Sequence, residues 1–155
     1  MPSLYAGTVP IDGWRLSARS LSSAKLPRMT AVEPELWVGD PAGAIEFYAG
    51  AFGAVVLHRV GHDDEIVAQL QVGEARFWLS NAAGGRLDPL SVGGTTSRTL
   101  LVTSEPEALV ARAVLAGAAL TSAVIDEHGW RLGRIVDPFG HEWEIGYPTG
   151  RWPPG

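Results

Sequence analysis

The chain has 155 residues, 46% hydrophobic and 19% charged, with a formal charge of −5, which suits one globular domain with its own core. The negative charge argues against general nucleic-acid binding, which uses Lys and Arg against phosphates, and no apolar run reaches the roughly 18–20 residues of a membrane span. The lack of cysteine excludes disulfides, thiolate metal sites and a cysteine nucleophile, and it agrees with a cytoplasmic location.

In chain order, residues 1–30 come first. They hold Arg15, Arg19, Lys25 and Arg28 against Asp12, a sum of +3, so the other 125 residues carry −8 (−5 − 3). Rich in Ser, Gly and Pro and without a steady period, they are expected to form an extended arm. A transit-like or nucleic-acid-binding tail is the alternative, and Met29 is a second candidate start.

Residues 31–80 read as a first unit. The strand-like ELWV precedes Asp40, a natural N-cap, and Pro41 at the first helical position. Ile45, Tyr48 and Phe52 follow at helical spacing, and Gly53 stands where a helix needs a left-handed stop. Three strand-like runs come next: AVVLHRV, EIVAQLQV and ARFWLS, with GHDDE as one hairpin loop and Gly73-Glu74 as the next turn. Residues 81–97, NAAGGRLDPLSVGGTTS, read as a Gly/Ser-rich linker.

Residues 98–148 repeat the first unit, and 149–155 read as a C-terminal tail. TLLV leads to a capping box of Ser104 and Glu107 with Pro106 inside the first turn, then to a helix with Leu109, Val110, Ala113 and Val114 on its apolar side, stopped by Gly117. ALTSAVI, WRLGRIV, a DPFG turn and HEWEIG complete it. Asp40 and Ser104 lie 64 positions apart (104 − 40), as do Gly53 and Gly117 (117 − 53). The expected fold is therefore α+β: two tandem βαβββ modules.

Paired βαβββ modules, the helix GDPAGAIEFYAGAFG and the ending DPFGHEWEI resemble the vicinal oxygen chelate superfamily, which includes glyoxalase I, extradiol dioxygenases, fosfomycin-resistance enzymes and bleomycin-binding proteins. The AFG helix end and DPFGHEWEI are most similar to its PhnB-like, glyoxalase/bleomycin-resistance branch. The resemblance covers about residues 33–147. It implies modules curled into a cup-shaped mixed β-sheet with the helices outside, a pocket between them, and a homodimer.

Metal-dependent members of that superfamily place one His, Gln or Glu on the first and last strand of each module. Carried over residue by residue, those positions fall at Glu33, Trp78, Arg98 and Glu144. An indole cannot ligate a metal, and an arginine repels one, so no metal ligand and no cofactor are expected, a divalent metal being the minor alternative. Strand alternation then adds Glu35, Trp37, Arg76 and Leu100 to the expected ligand-binding face. It sends Leu36, Val38, Phe77, Leu79, Trp143 and Ile145 to the core.

Plain alternatives stand beside these. Trp37 and Trp78 could simply cover the sheet, Arg98 could ion-pair with Glu144 or Glu33 or bind a ligand anion, and Glu142 belongs at the rim. Among the histidines, His128 is a candidate acid/base group in a loop over the pocket, and His141 a turn contact. Two functions follow: metal-independent binding of a small organic molecule, of sequestration or resistance type, or a glyoxalase-like lyase or isomerase with Glu144 as its catalytic base.

Overall fold

In the computed structural model the described residues are 30–63 and 65–151. The expected arm lies outside them, apart from Thr30, as do the last four residues of the tail. The compact unit begins at Glu33.

The first module runs β1 (Glu35–Val38), α1 (Pro41–Phe52), β2 (Val55–Val60), β3 (Val67–Val72) and β4 (Ala75–Asn81). Asp40 caps α1 by accepting a bond from Gly43 N at 2.9 Å. Pro41 costs the helix nothing there, because a first-turn N–H has no intrahelical acceptor. Gly53, at φ 68°, ends the helix in the left-handed conformation, which a Cβ would strain. The four strands are ordered β1-β4-β3-β2, with β1 parallel to β4 and the other neighbours antiparallel.

The Gly/Ser-rich stretch expected as a linker, residues 81–97, holds one short helical element. β4 extends through Asn81, and Pro89–Val92 form one short helical turn, α2. Pro89 at its first position and Gly93 at φ 76° supply both ends of that turn.

The second module repeats the plan: β5 (Arg98–Val102), α3 (Pro106–Leu115), β6 (Ala119–Glu127), β7 (Trp130–Val136) and β8 (Glu142–Pro148), in the order β5-β8-β7-β6. β6 and β8 each run two residues past their expected ends, because Glu127 and Pro148 still have partners in Trp130.

The capping box is corrected. Glu105 is the N-cap of α3 and makes no side-chain cap bond. Glu107 instead turns outward to Arg131, whose Nε donates to it at 2.7 Å. The two helix-opening prolines are 65 apart (106 − 41) rather than 64, and α3 ends at Leu115, two residues before Gly117.

The modules meet back to back, through the faces that carry the helices, with α1 against α3 as the main inter-module contact. Leu36, Val38, Phe77, Leu79, Trp143 and Ile145 are all buried, as their alternation requires. Trp143 is the hub. Its ring lies 5.6 Å from Tyr48, 4.9 Å from Phe52 and 6.1 Å from Phe77, three side chains of the first module. Burying about 200 Å² of indole at ~25 cal/mol per Å² contributes at most about 5 kcal/mol.

One charged side chain is buried in this seam. Asp137, 4% exposed, opens the DPFG turn. Its Oδ1 accepts from Phe139 N and His141 N, each at 2.9 Å, which shapes the turn. Its Oδ2 accepts from Trp143 Nε1 at 3.0 Å and from the Tyr48 hydroxyl of α1 at 2.6 Å. Four donors satisfy a carboxylate that would otherwise be costly to bury. Gly140 completes the turn: a Cβ there would sit 2.9 Å from Pro89 Cβ, so a bare α-carbon lets α2 pack on the turn.

Candidate functional site

Because the helix-bearing faces make the core, the opposite face of each sheet is left outward, and the pleat decides which side chains stand on it. On the first module, register places Glu35, Trp78, Gln69 and His58 opposite one another across all four strands. Glu33, just before β1, joins this row through its side chain. Its Oε2 accepts from Gln69 Nε2 at 2.7 Å and from Trp78 Nε1 at 2.8 Å. The His58 ring meets Trp78 edge-on, with centroids 6.4 Å apart.

Glu35 is held separately. Its Oε1 accepts from the Ser80 hydroxyl at 2.6 Å, and Ser80 Oγ accepts from Arg86 Nη1 at 3.2 Å. Trp37 is 38% exposed and lines, with Glu35, a cleft of about 300 Å³ against the linker. His141 reaches the same place, its Nε2 3.0 Å from the Trp37 carbonyl oxygen, a turn contact as expected. Arg76 is exposed on this face and makes no ion pair within 4.0 Å among the described residues.

On the second module the corresponding row is Leu100, Glu144, Arg134 and Ser122. Arg98 Nη1 donates to Glu144 Oε1 at 2.8 Å, and Arg134 Nε donates to the same oxygen at 2.9 Å. Arg134 also pairs through Nη2 with Glu127. Its hydrogen bonds to Glu144 and then Glu127 hold the guanidinium above its already high ordinary value, so it is charged at every working pH. Leu100, His128, Trp130 and Leu132 join Glu127, Arg134 and Glu144 around a cleft of about 340 Å³. His128 sits in the β6–β7 turn with φ 49°, next to Gly129 at φ 78°, and thereby reaches the rim of the cleft.

The eight expected ligand-binding residues therefore fall into separate groups. Glu33 and Trp78 touch, with Glu35 opposite Trp78 in the register and sharing the linker cleft with Trp37; Arg98 touches Glu144, which lines the second-module cleft together with Leu100; and Arg76 makes no ion pair among the described residues. Among the described residues, no hydrogen bond or ion pair joins the first set of strands to the second across these outward faces. Gln69 and Arg134, which organise the two rows, were missed. Extending the alternation to the middle strands β3 and β7 would have found both, since each lies opposite a last-strand position, Trp78 or Glu144.

The four family ligand positions do not fit a divalent metal. One is an indole already donating to Glu33, and another is a guanidinium that shares Glu144 with a second guanidinium. A divalent cation at the other oxygen, Oε2, would lie beside the two guanidinium charges that Oε1 already accepts from, and it would gain only one ligand. No group of three His, Asp or Glu side chains with metal-binding geometry occurs among the described residues, and no helix among them is long and apolar enough to cross a membrane.

Comparison with known proteins agrees with this architecture. Uncharacterized proteins of Mycobacterium tuberculosis and Mycobacterium bovis are 38% identical over 127 residues, 77% of this chain and 75% and 84% of theirs. Among solved structures, a gene product of Arabidopsis thaliana superposes with a TM-score of 0.63 at 27% identity, covering 76% of this chain and 98% of its own. TioX from Micromonospora sp. ML1 gives 0.60 at 23% identity, covering 76% and 99%. The fosfomycin resistance protein FosX of Listeria monocytogenes gives 0.63 at 15%, covering 78% and 94%. The last two likenesses are of fold. A family profile matches residues 28–145, and the chain belongs to the Glyoxalase/Bleomycin resistance protein/Dioxygenase superfamily.

Proposed function

We propose that this protein binds a small organic molecule without a metal, as a sequestering or resistance-type member of the PhnB-like branch. The observation that carries this reading is the state of Glu144. In this fold a last-strand carboxylate would serve a metal, but here one of its oxygens is taken by both Arg98 and Arg134. Aromatic and apolar side chains stand around the same faces: Trp37, Trp78, Leu100 and Trp130. Such walls with a few placed polar groups suit a small ligand.

Each outward face is only half a cup. Leu100 and Val102 are 43% and 61% exposed on one, and Val60 is 49% exposed on the other. A homodimer that brings the first-module face of one chain over the second-module face of its partner would cover this apolar surface and close the site. FosX, by its name a fosfomycin resistance protein, and TioX share the fold; their ligands are not carried over.

Catalysis by Glu144 as a base is the weaker reading. Taking a proton from carbon needs a base and a group to hold the developing oxyanion, and both nearby guanidiniums are already engaged by Glu144 itself. The test is to purify the protein, measure bound metal by elemental analysis, and release and identify any co-purified small molecule by mass spectrometry. Rebinding should quench tryptophan fluorescence and raise the melting temperature with chelator present, and Trp78→Ala should weaken it. A stoichiometric divalent metal required for binding would overturn the proposal.

A further inference from the structure

We propose, on the basis of the small-molecule reading above, that the ligand carries a positive charge. It would be an ammonium or guanidinium group on an aromatic or apolar body, and Glu33 with Trp78 would be its receptor. The two outward faces treat their carboxylates differently. On the second module, Glu127 and Glu144 are both ion-paired, to Arg134 and to Arg98 with Arg134. On the first, Glu33 is held only by neutral donors, the Gln69 amide and the Trp78 indole N–H. No Lys, Arg or His nitrogen lies within 4.0 Å of it among the described residues. Its geometry is fixed, and among the described residues no cation pairs with its charge.

Both donors bond the same oxygen, Oε2, which leaves Oε1 without a hydrogen-bond partner among the described residues. The Trp78 hydrogen bond also locks the indole plane beside the carboxylate, with His58 against the ring edge. A cation seated at Oε1 meets the carboxylate directly, an attraction that strengthens as water is excluded, and the aromatic or apolar body attached to it can lie along the indole. A metal ion would ask for three or more ligands, whereas an organic cation needs only the carboxylate and the ring. An anion would meet Glu33 unshielded, since Arg76, exposed on the same face, makes no ion pair that would neutralise it.

Three compounds with similar aromatic bodies separate the outcomes: phenethylamine, phenethyl alcohol and phenylacetate, which are cationic, neutral and anionic. Binding is followed on the full-length protein by the 1H–15N signal of the Trp78 indole. The amine should bind at least about tenfold more tightly than the alcohol, phenylacetate should be weakest, and added salt should narrow the gap. Glu33→Gln keeps an oxygen for the Trp78 N–H and should abolish the preference of amine over alcohol. Equal affinity for amine and alcohol, a preference insensitive to salt, or one that survives Glu33→Gln overturns the cation inference alone. If none of the three moves the Trp78 signal, the small-molecule reading of this face falls with it.

Discussion

Asp137→Asn changes one atom in the seam between the modules, and its cost can be worked from the bonds around it. With the amide oxygen toward Phe139 N and His141 N, the turn keeps both of its backbone bonds. The amide NH2 then faces the Tyr48 hydroxyl and Trp143 Nε1. The hydroxyl can rotate to accept, but the indole N–H cannot, so a buried donor loses its carboxylate partner at about 1–3 kcal/mol. The remaining bonds also lose their charge assistance, worth about 1 kcal/mol or more, partly offset because no charge is buried any longer. The net loss should be about 3 kcal/mol. At about 2–4 °C per kcal/mol for a chain of this size, the melting temperature should fall by about 6–12 °C. Urea unfolding, followed by circular dichroism and tryptophan fluorescence, measures it. Tyr48→Phe removes one charge-assisted bond and should cost about 2 kcal/mol, with the double variant below additive because the two side chains share that bond. An Asp137→Asn protein within about 0.5 kcal/mol of wild type would refute this account of the seam.

Tyr48 also sets an alkaline limit. Burial first, then the negative charge of Asp137 and the bond to it, push the phenol well above its ordinary value. The folded state thus favours the neutral phenol, while the unfolded chain releases that proton near pH ~10. The stabilisation is complete below that pH and is lost as pH rises toward the folded value; Tyr48→Phe should flatten this part of the stability–pH curve. In β8, Gly146→Ala should cost more than about 2 kcal/mol, since its Cβ would lie 2.0 Å from the Arg131 carbonyl oxygen and 2.7 Å from Leu132 Cα. By contrast Gly50→Ala, inside α1 with nothing within 4 Å of the new atom, should stabilise by about 0.5–1 kcal/mol in the same melts. Saturating zinc, nickel or manganese should leave the melting temperature unchanged, and a rise of several degrees would show that a metal does find a site.

The repeat was readable because each of its signals is local. Asp40, Pro41 and Gly53 act within one helical turn of the chain, and alternation in ELWV, ARFWLS and HEWEIG sorts core from outward face without knowledge of partners. What depends on distant neighbours was not readable. Ser104 and Glu107 have a capping spacing, yet Glu107 lies beside Arg131, and a guanidinium outbids the backbone N–H. Asp137 reads as an ordinary turn residue, since nothing in DPFG discloses the hydroxyl of Tyr48, 89 positions away. The outward faces were legible strand by strand, but their grouping was not. Assigning Glu33, Trp78, Arg98 and Glu144 to one pocket assumed that the two modules face each other inside a chain, whereas the aromatic seam joins them by their backs.

That seam is one-sided. Seven residues past its helix-opening proline, α1 carries Tyr48; at the same distance α3 carries Ala113 (48 − 41 and 113 − 106). The first module turns from β3 to β4 through Gly73 and Glu74 alone, while the second uses the longer turn that begins with Asp137. Lock and key therefore sit on different repeats. A protein assembled from two first modules would have two keys and no lock, and one from two second modules the reverse. The two halves are complementary parts rather than equivalents, and excised modules should associate as unlike pairs in preference to like ones.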